Sequence, residues 1–174
     1  NSTNLYIKVS PKTYESPKIK SSNFEGGMYR QVEPYEYYVN ILFIDSSYNL
    51  ISTLVDQNAS IIDITIPVNS ESEKIDTTVK NIGYLIAFED SNKDKIIDRR
   101  DNYDLYISDL SGKGLTKVTN NLGIKSYEFI NNHKDIFITF RERLDIPEVH
   151  EITRFALYNI KFNDSNYFTQ LDKK

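Results

Sequence analysis

The sequence predicts an all-β fold of repeated four-stranded antiparallel units, and three observations carry that expectation. Helical periodicity is weak, whereas short apolar or alternating runs separated by Asn, Asp, Ser and Gly recur from end to end. Residue types suited to strands are abundant, with thirteen Tyr and nine Phe beside many β-branched residues. A strand, turn, strand segment also recurs along the chain.

In chain order, the runs that read as strands are residues 5–9, 37–45, 50–56, 61–68, 83–89, 104–110, 114–119, 125–130, 135–141, 154–162 and 167–171. GYLIAF, from Gly83, is continuously apolar, which predicts burial on both faces. DIFITFR, from Asp135, alternates instead, placing Ile136, Ile138 and Phe140 on one face and Phe137, Thr139 and Arg141 on the other. Two polar segments, 11–34 and 69–80, read as long connections.

The repeat sets the grouping of these strands. YDLYISDLSGKGLTKVT lies over NILFIDSSYNLISTL without a gap, Asp109 on Asp45 and Leu115 on Ile51. It lies again over FALYNIKFNDSNYFTQL, Leu105 on Leu157 and Tyr106 on Tyr158, with one inserted residue further on. Two more strands precede each of the last two copies, giving four per unit, the order expected of a propeller blade. A single domain, 1–174, then holds a first blade at about 5–56, a second at about 61–119 and a third at about 124–171. The first lacks an obvious innermost strand. A two-sheet β-sandwich is the alternative with the same strand count.

The segment IAFEDSN…DNYDLYISDLSGKGLTKVTNN, followed by IKSYEFINNHKDIFITF, resembles the TolB-type β-propeller repeat. Its pattern is an apolar strand, a loop, a D-L-Y-hydrophobic-x-D-x-x-G strand and turn, a short L-x-x-hydrophobic-T strand, and then the next blade. The resemblance covers roughly the C-terminal two-thirds of the chain, with a weaker echo between Tyr37 and Asp56. It implies a propeller that makes protein contacts in the cell envelope. With the polar N-terminus, which has the look of a processed end, it implies a periplasmic, cell-surface or secreted location; a lipid-modified cysteine upstream of Asn1 would suit the same place. About three blades are visible, fewer than the four to eight of most propellers. Self-association through open sheet edges is therefore expected.

DSNKDKIIDRRD, residues 90–101, interrupts the β-pattern with the spelling of a calcium loop. Calcium takes six to eight oxygen ligands, and a twelve-residue loop supplies them from its first, third, fifth, seventh, ninth and twelfth positions. Here those are Asp90, Asn92, Asp94, the carbonyl of Ile96, Asp98 and Asp101, with apolar Ile97 at the eighth. The segment is similar to EF-hand loops and, with Asn at the third position and Asp at the twelfth, closer still to dockerin loops. Two features depart from the pattern. Lys95 stands where Gly normally permits a left-handed turn, and Asp101 replaces a bidentate Glu. Arg99 and Arg100 also lower the negative charge of the site. A structural Ca2+ is the expected cofactor. Mg2+, which prefers to keep its waters, is the weaker fit.

The remaining candidates are weaker. Asp145, Glu148 and His150 form a possible secondary polar site in RERLDIPEVHEITR, read as an insertion between strands. His133 reads as an exposed turn residue, and Tyr35 to Tyr38 as strand core and edge rather than a stacking surface. No catalytic constellation is recognised: no cysteine occurs, and no nucleophile elbow or phosphate loop is spelled. A net charge of −4 with scattered Lys and Arg argues against a nucleic-acid partner, and no apolar run of eighteen residues suggests a membrane span. The chain is therefore expected to be a non-catalytic, calcium-binding module with a protein or glycan partner. The alternative is a carbohydrate-active enzyme or carbohydrate-binding module using loop carboxylates or exposed Tyr.

Overall fold

The computed structural model describes residues 5–11, 37–66, 78–146, 149–160 and 167–171, with 142–146, 149–151 and 167–171 described by backbone alone. The expected connection at 12–34, most of the one at 69–80, and Tyr35 lie outside the described residues. No helix occurs among the described residues. The strands are β1 (Leu5–Val9), β2 (Asn40–Ile44), β3 (Leu50–Thr53), β4 (Ser60–Thr65), β5 (Asn81–Ala87), β6 (Asp104–Asp109), β7 (Thr116–Lys117), β8 (Gly123–Ile130), β9 (Asp135–Ile146), β10 (Val149–Asn159) and β11 (Tyr167–Leu171).

These strands make three antiparallel sheets, each in chain order: β1-β2-β3, β4-β5-β6-β7 and β8-β9-β10-β11. Three antiparallel meanders of this kind fit the repeated units read from the sequence, and the described residues form three sheets rather than the two of the sandwich alternative. The first sheet has three strands among the described residues. By the repeat, its β1, β2 and β3 match the second, third and fourth strands of the other sheets, so among the described residues the first strand of those sheets is the one without a counterpart.

The sheets stack face to face. Alternation along β5 sends Ile82, Tyr84 and Ile86 into a core shared with Ile41, Phe43, Leu54 and Val55 of the first sheet and its flank. On the opposite face, Leu85, Leu105 and Ile107 join Ile136, Ile138, Phe140, Ala156 and Tyr158 of the third sheet. The middle sheet is thus buried on both sides, which is why GYLIAF shows no polar alternation. Each fully buried side chain of this size is worth about 1.5–3 kcal/mol of transfer free energy. The two interfaces therefore hold the stack together.

Close approach between sheets explains two glycines. Gly83 lies in β5, and a Cβ there would stand 2.6 Å from the Tyr127 ring of the third sheet. Gly112, at φ 77°, forms the turn between β6 and β7, where a Cβ would run into the Phe43 ring of the first sheet. The Ser52 hydroxyl donates to the Ser111 carbonyl at the same contact. Tyr38 supplies another link, exchanging backbone hydrogen bonds of 2.8 Å with Ile61 of the second sheet. It packs against the first core, as expected for strand core and edge.

One expectation is corrected. RERLDIPEVHEITR is not a loop inserted between strands: β9 and β10 continue into it as a paired ribbon, with Val149 opposite Ile146. Backbone pairing carries the two strands past the end of the sheet, and a charge-dense run conceals the alternation that normally marks a strand.

Candidate metal centre

The acidic loop, residues 90–101, joins β5 to β6, the second and third strands of the middle sheet. Side-chain carboxylates and amides organise its backbone. Asp90 accepts the Asp94 N–H on Oδ1 at 3.1 Å and the Lys95 N–H on Oδ2 at 2.7 Å. Asn92 Oδ1 also accepts the Asp94 N–H, at 2.9 Å, and Asp94 Oδ1 accepts that of Ile96 at 3.0 Å. Such bonds from a short acidic side chain to N–H groups a few residues ahead curl the chain around the side chain.

Lys95 has φ 73°, so the left-handed turn required at the sixth position is present although the residue is not Gly. A left-handed non-Gly residue costs about 1–2 kcal/mol, and here the Asp90 bond to its N–H helps to hold it. Ile96 is exposed and Ile97 half-buried, so the apolar eighth position is the better covered of the two.

Asp101 closes the loop. It is buried, and its Oδ1 accepts the Ser91 N–H at 2.8 Å, the Ser91 hydroxyl at 3.1 Å and the Asn92 N–H at 3.2 Å. Its Oδ2 accepts the Asp98 N–H at 2.9 Å. Burial alone would raise its pKa, but the N–H groups of Asp98, Asn92 and Ser91 outweigh it and hold the carboxyl below its usual value. The twelfth position thus ties the end of the loop to its start.

Sequence reasoning missed the role of Arg100. Its guanidinium lies 2.7 Å from Asp94 and 2.8 Å from Asp98, joining the fifth and ninth positions of the loop. Hydrogen bonds from the Arg100 side chain and N–H hold the Asp98 carboxyl below its usual range. The sequence revealed a nearby positive charge, but not which carboxylates it bridges.

The donor set is chemically suited to a hard cation, being entirely oxygen. Its oxygens are engaged by N–H groups and by Arg100, and among the described residues no three His, Cys, Asp or Glu side chains are gathered as a metal-holding group. The residues that would hold calcium are Asp90, Asn92, Asp94, Asp98, Asp101 and the carbonyl of Ile96. Arg100 is the group it would displace.

The other candidates lie outside the acidic loop. Asp145 lies in β9 and His150 in β10, whereas Glu148 and the side chains of the other two lie outside the described residues. His133 sits in the turn after β8 with φ 61°, its Nδ1 3.0 Å from Thr78 Oγ1. At the foot of the acidic loop lies an open groove of about 850 Å³, where Asp101 is the one carboxylate among the described lining residues, near Lys125 and Arg141. A second groove of about 470 Å³ has Asp56 as the one carboxylate among its described lining residues. A glycosidase requires two carboxyl groups facing each other roughly 5–10 Å apart. Among the described lining residues, neither groove supplies such a pair. No helix among the described residues is long and apolar enough to cross a membrane. Comparison with known proteins finds no matching family model, no matching curated protein and no matching solved structure.

Proposed function

We propose that the chain is a non-catalytic, calcium-binding scaffold of propeller-type sheets that binds a protein or glycan partner in the cell envelope or extracellular space. The observation that carries the calcium reading is the left-handed Lys95 held by Asp90, since this is the turn that a twelve-residue calcium loop needs at its sixth position. Bound there, Ca2+ would neutralise clustered carboxylates. The chain's own residues fix the two ends of the loop through Asp101 and anchor it between adjacent strands of the middle sheet. The role is structural: the site joins β5 to β6, with none of the flanking helices that open in calcium sensors. The TolB-type motif supports the envelope setting.

Isothermal titration calorimetry with CaCl2 tests this reading. One ion per chain should bind the wild type, and the Asp94→Asn, Asp98→Asn double variant should lose that binding. A flat titration of folded wild-type protein would refute it. Selective binding of Mg2+ over Ca2+ would refute the choice of ion.

A further inference from the structure

Each sheet has a front face, turned toward the preceding sheet in the chain, and a back face, turned toward the following one. The back face of the first sheet, with Ile41 and Phe43, is covered by the front face of the second, with Ile82, Tyr84 and Ile86. The back face of the second, with Leu85, Leu105 and Ile107, is covered in the same way by the third. The repeat preserves this polarity: Ile41 and Leu105 occupy equivalent positions, and both are buried on back faces.

Among the described residues, two apolar faces lie at the ends of the stack. Register places Leu5 opposite Ile44 and Ile7 opposite Leu42 on the front of the first sheet, with Leu50 opposite Ile44 on the other side. Leu5, Ile7 and Leu50 are 47%, 48% and 60% exposed. Tyr48, at the turn position where Gly112 meets Phe43 one sheet later, is 78% exposed. On the back of the third sheet, Leu157 is paired with Phe137, and the Phe137 and Phe155 rings stack at 5.6 Å. Leu157 is the repeat equivalent of Leu105, which is fully buried, yet it belongs to neither core.

We propose that these two faces bind each other between copies of the chain, head to tail, so that the front of one copy's first sheet covers the back of another's third. The occupant is set by continuity with the interfaces inside the chain. The repeat builds a front that fits the back before it, and the two faces left over are one of each kind. An aliphatic front of Leu5, Ile7, Leu42, Ile44 and Leu50 would meet an aromatic back of Phe137, Phe155 and Leu157. This contact is heterologous and propagates to a ring or a longer stack. It uses sheet faces rather than the open edges expected from the sequence, and it does not depend on the calcium loop.

The test is sedimentation of the full chain over a range of concentrations, in calcium and in chelator. The expected result, in both conditions, is a weight-average mass that rises above the 20.3 kDa of one chain. Ile7→Lys should block the front and Phe155→Lys the back, so each alone should stay monomeric, while an equimolar mixture should form a dimer through the one intact face of each. Leu50→Lys and Thr139→Lys mark the same two faces if either first variant unfolds. A wild type monomeric at every concentration overturns the proposal. So does assembly by Phe155→Lys alone, which would show front-to-front pairing. Failure here with calcium binding intact would leave the calcium reading standing, and the reverse outcome would separate them equally well.

Discussion

Asp45 and Asp109 hold the same turn in consecutive sheets. Asp45 Oδ1 accepts the N–H groups of Ser47 at 2.8 Å and Asn49 at 2.9 Å, and Asp109 Oδ1 accepts those of Ser111 at 2.8 Å and Lys113 at 2.9 Å. The left-handed position that follows is Tyr48 in one and Gly112 in the other. Residues matched by the repeat therefore do the same work. The identity of the left-handed residue differs because Gly112 is pressed against Phe43, whereas Tyr48 is exposed.

These two turns carry an acid sensitivity. Asn49 backbone and side-chain bonds hold Asp45 below the ordinary carboxyl pKa, and at Asp109 burial pushes upward but the bonds from Ser111 and Lys113 prevail. A depressed folded pKa contributes stability that is complete above the unfolded value, about 3.9, and is lost as pH falls through the folded value. Urea unfolding of the Asp45→Asn, Asp109→Asn double variant should show a shallower loss of stability below about pH 4 than wild type. Parallel curves would remove this assignment.

Gly112 and Gly114 separate backbone strain from crowding. Both have positive φ, 77° and 67°, but nothing lies within 4 Å of a Cβ placed at Gly114. Gly114→Ala should cost about 1–2 kcal/mol, the left-handed penalty alone. Gly112→Ala should cost about 2–5 kcal/mol, because displacement of Phe43 adds an overpacking cost. Chemical denaturation measures both, and equal losses would mean that the turn does not bear on the first sheet.

The packing of the second sheet on the third is tested at Gly83. Gly83→Ala should destabilise by about 1–3 kcal/mol through collision with Tyr127. In a Tyr127→Leu background the same change should cost less, leaving a coupling of at least about 0.5 kcal/mol in the double-mutant cycle. Strict additivity would show that the two residues are not in contact.

Much of this arrangement was legible because burial writes a period into a strand. GYLIAF reads as buried on both faces and is so, while Ile136, Ile138 and Phe140 share the buried face that their spacing predicted. The β1 strand, residues 5–9, has the expected bounds. The ribbon of β9 and β10 was not legible, because charged residues along it obscure the two-residue period. In the acidic loop the spacing of the oxygen side chains was legible, but the left-handed Lys95 and the Arg100 bridge were not. Both follow from where side chains reach in space, which residue spacing does not record.

Those two residues define how calcium affinity should respond to mutation. Lys95→Gly relieves a left-handed non-Gly residue and should stabilise the folded chain by about 1 kcal/mol while leaving calcium affinity nearly unchanged, because the turn is already formed. Arg100→Gln frees Asp94 and Asp98 from their guanidinium partner and should raise affinity several-fold in calorimetry. Weaker binding by Arg100→Gln would mean that Arg100 supports the site rather than competing with its ion.

The proposed structural calcium site at residues 90–101 is read out by thermal unfolding in calcium against chelator. A ligand bound only by the folded state adds about 2.7 kcal/mol at a hundred times its Kd, so millimolar calcium should raise the unfolding midpoint of wild type while leaving Asp90→Asn nearly unmoved. A wild-type midpoint identical in calcium and chelator would contradict it.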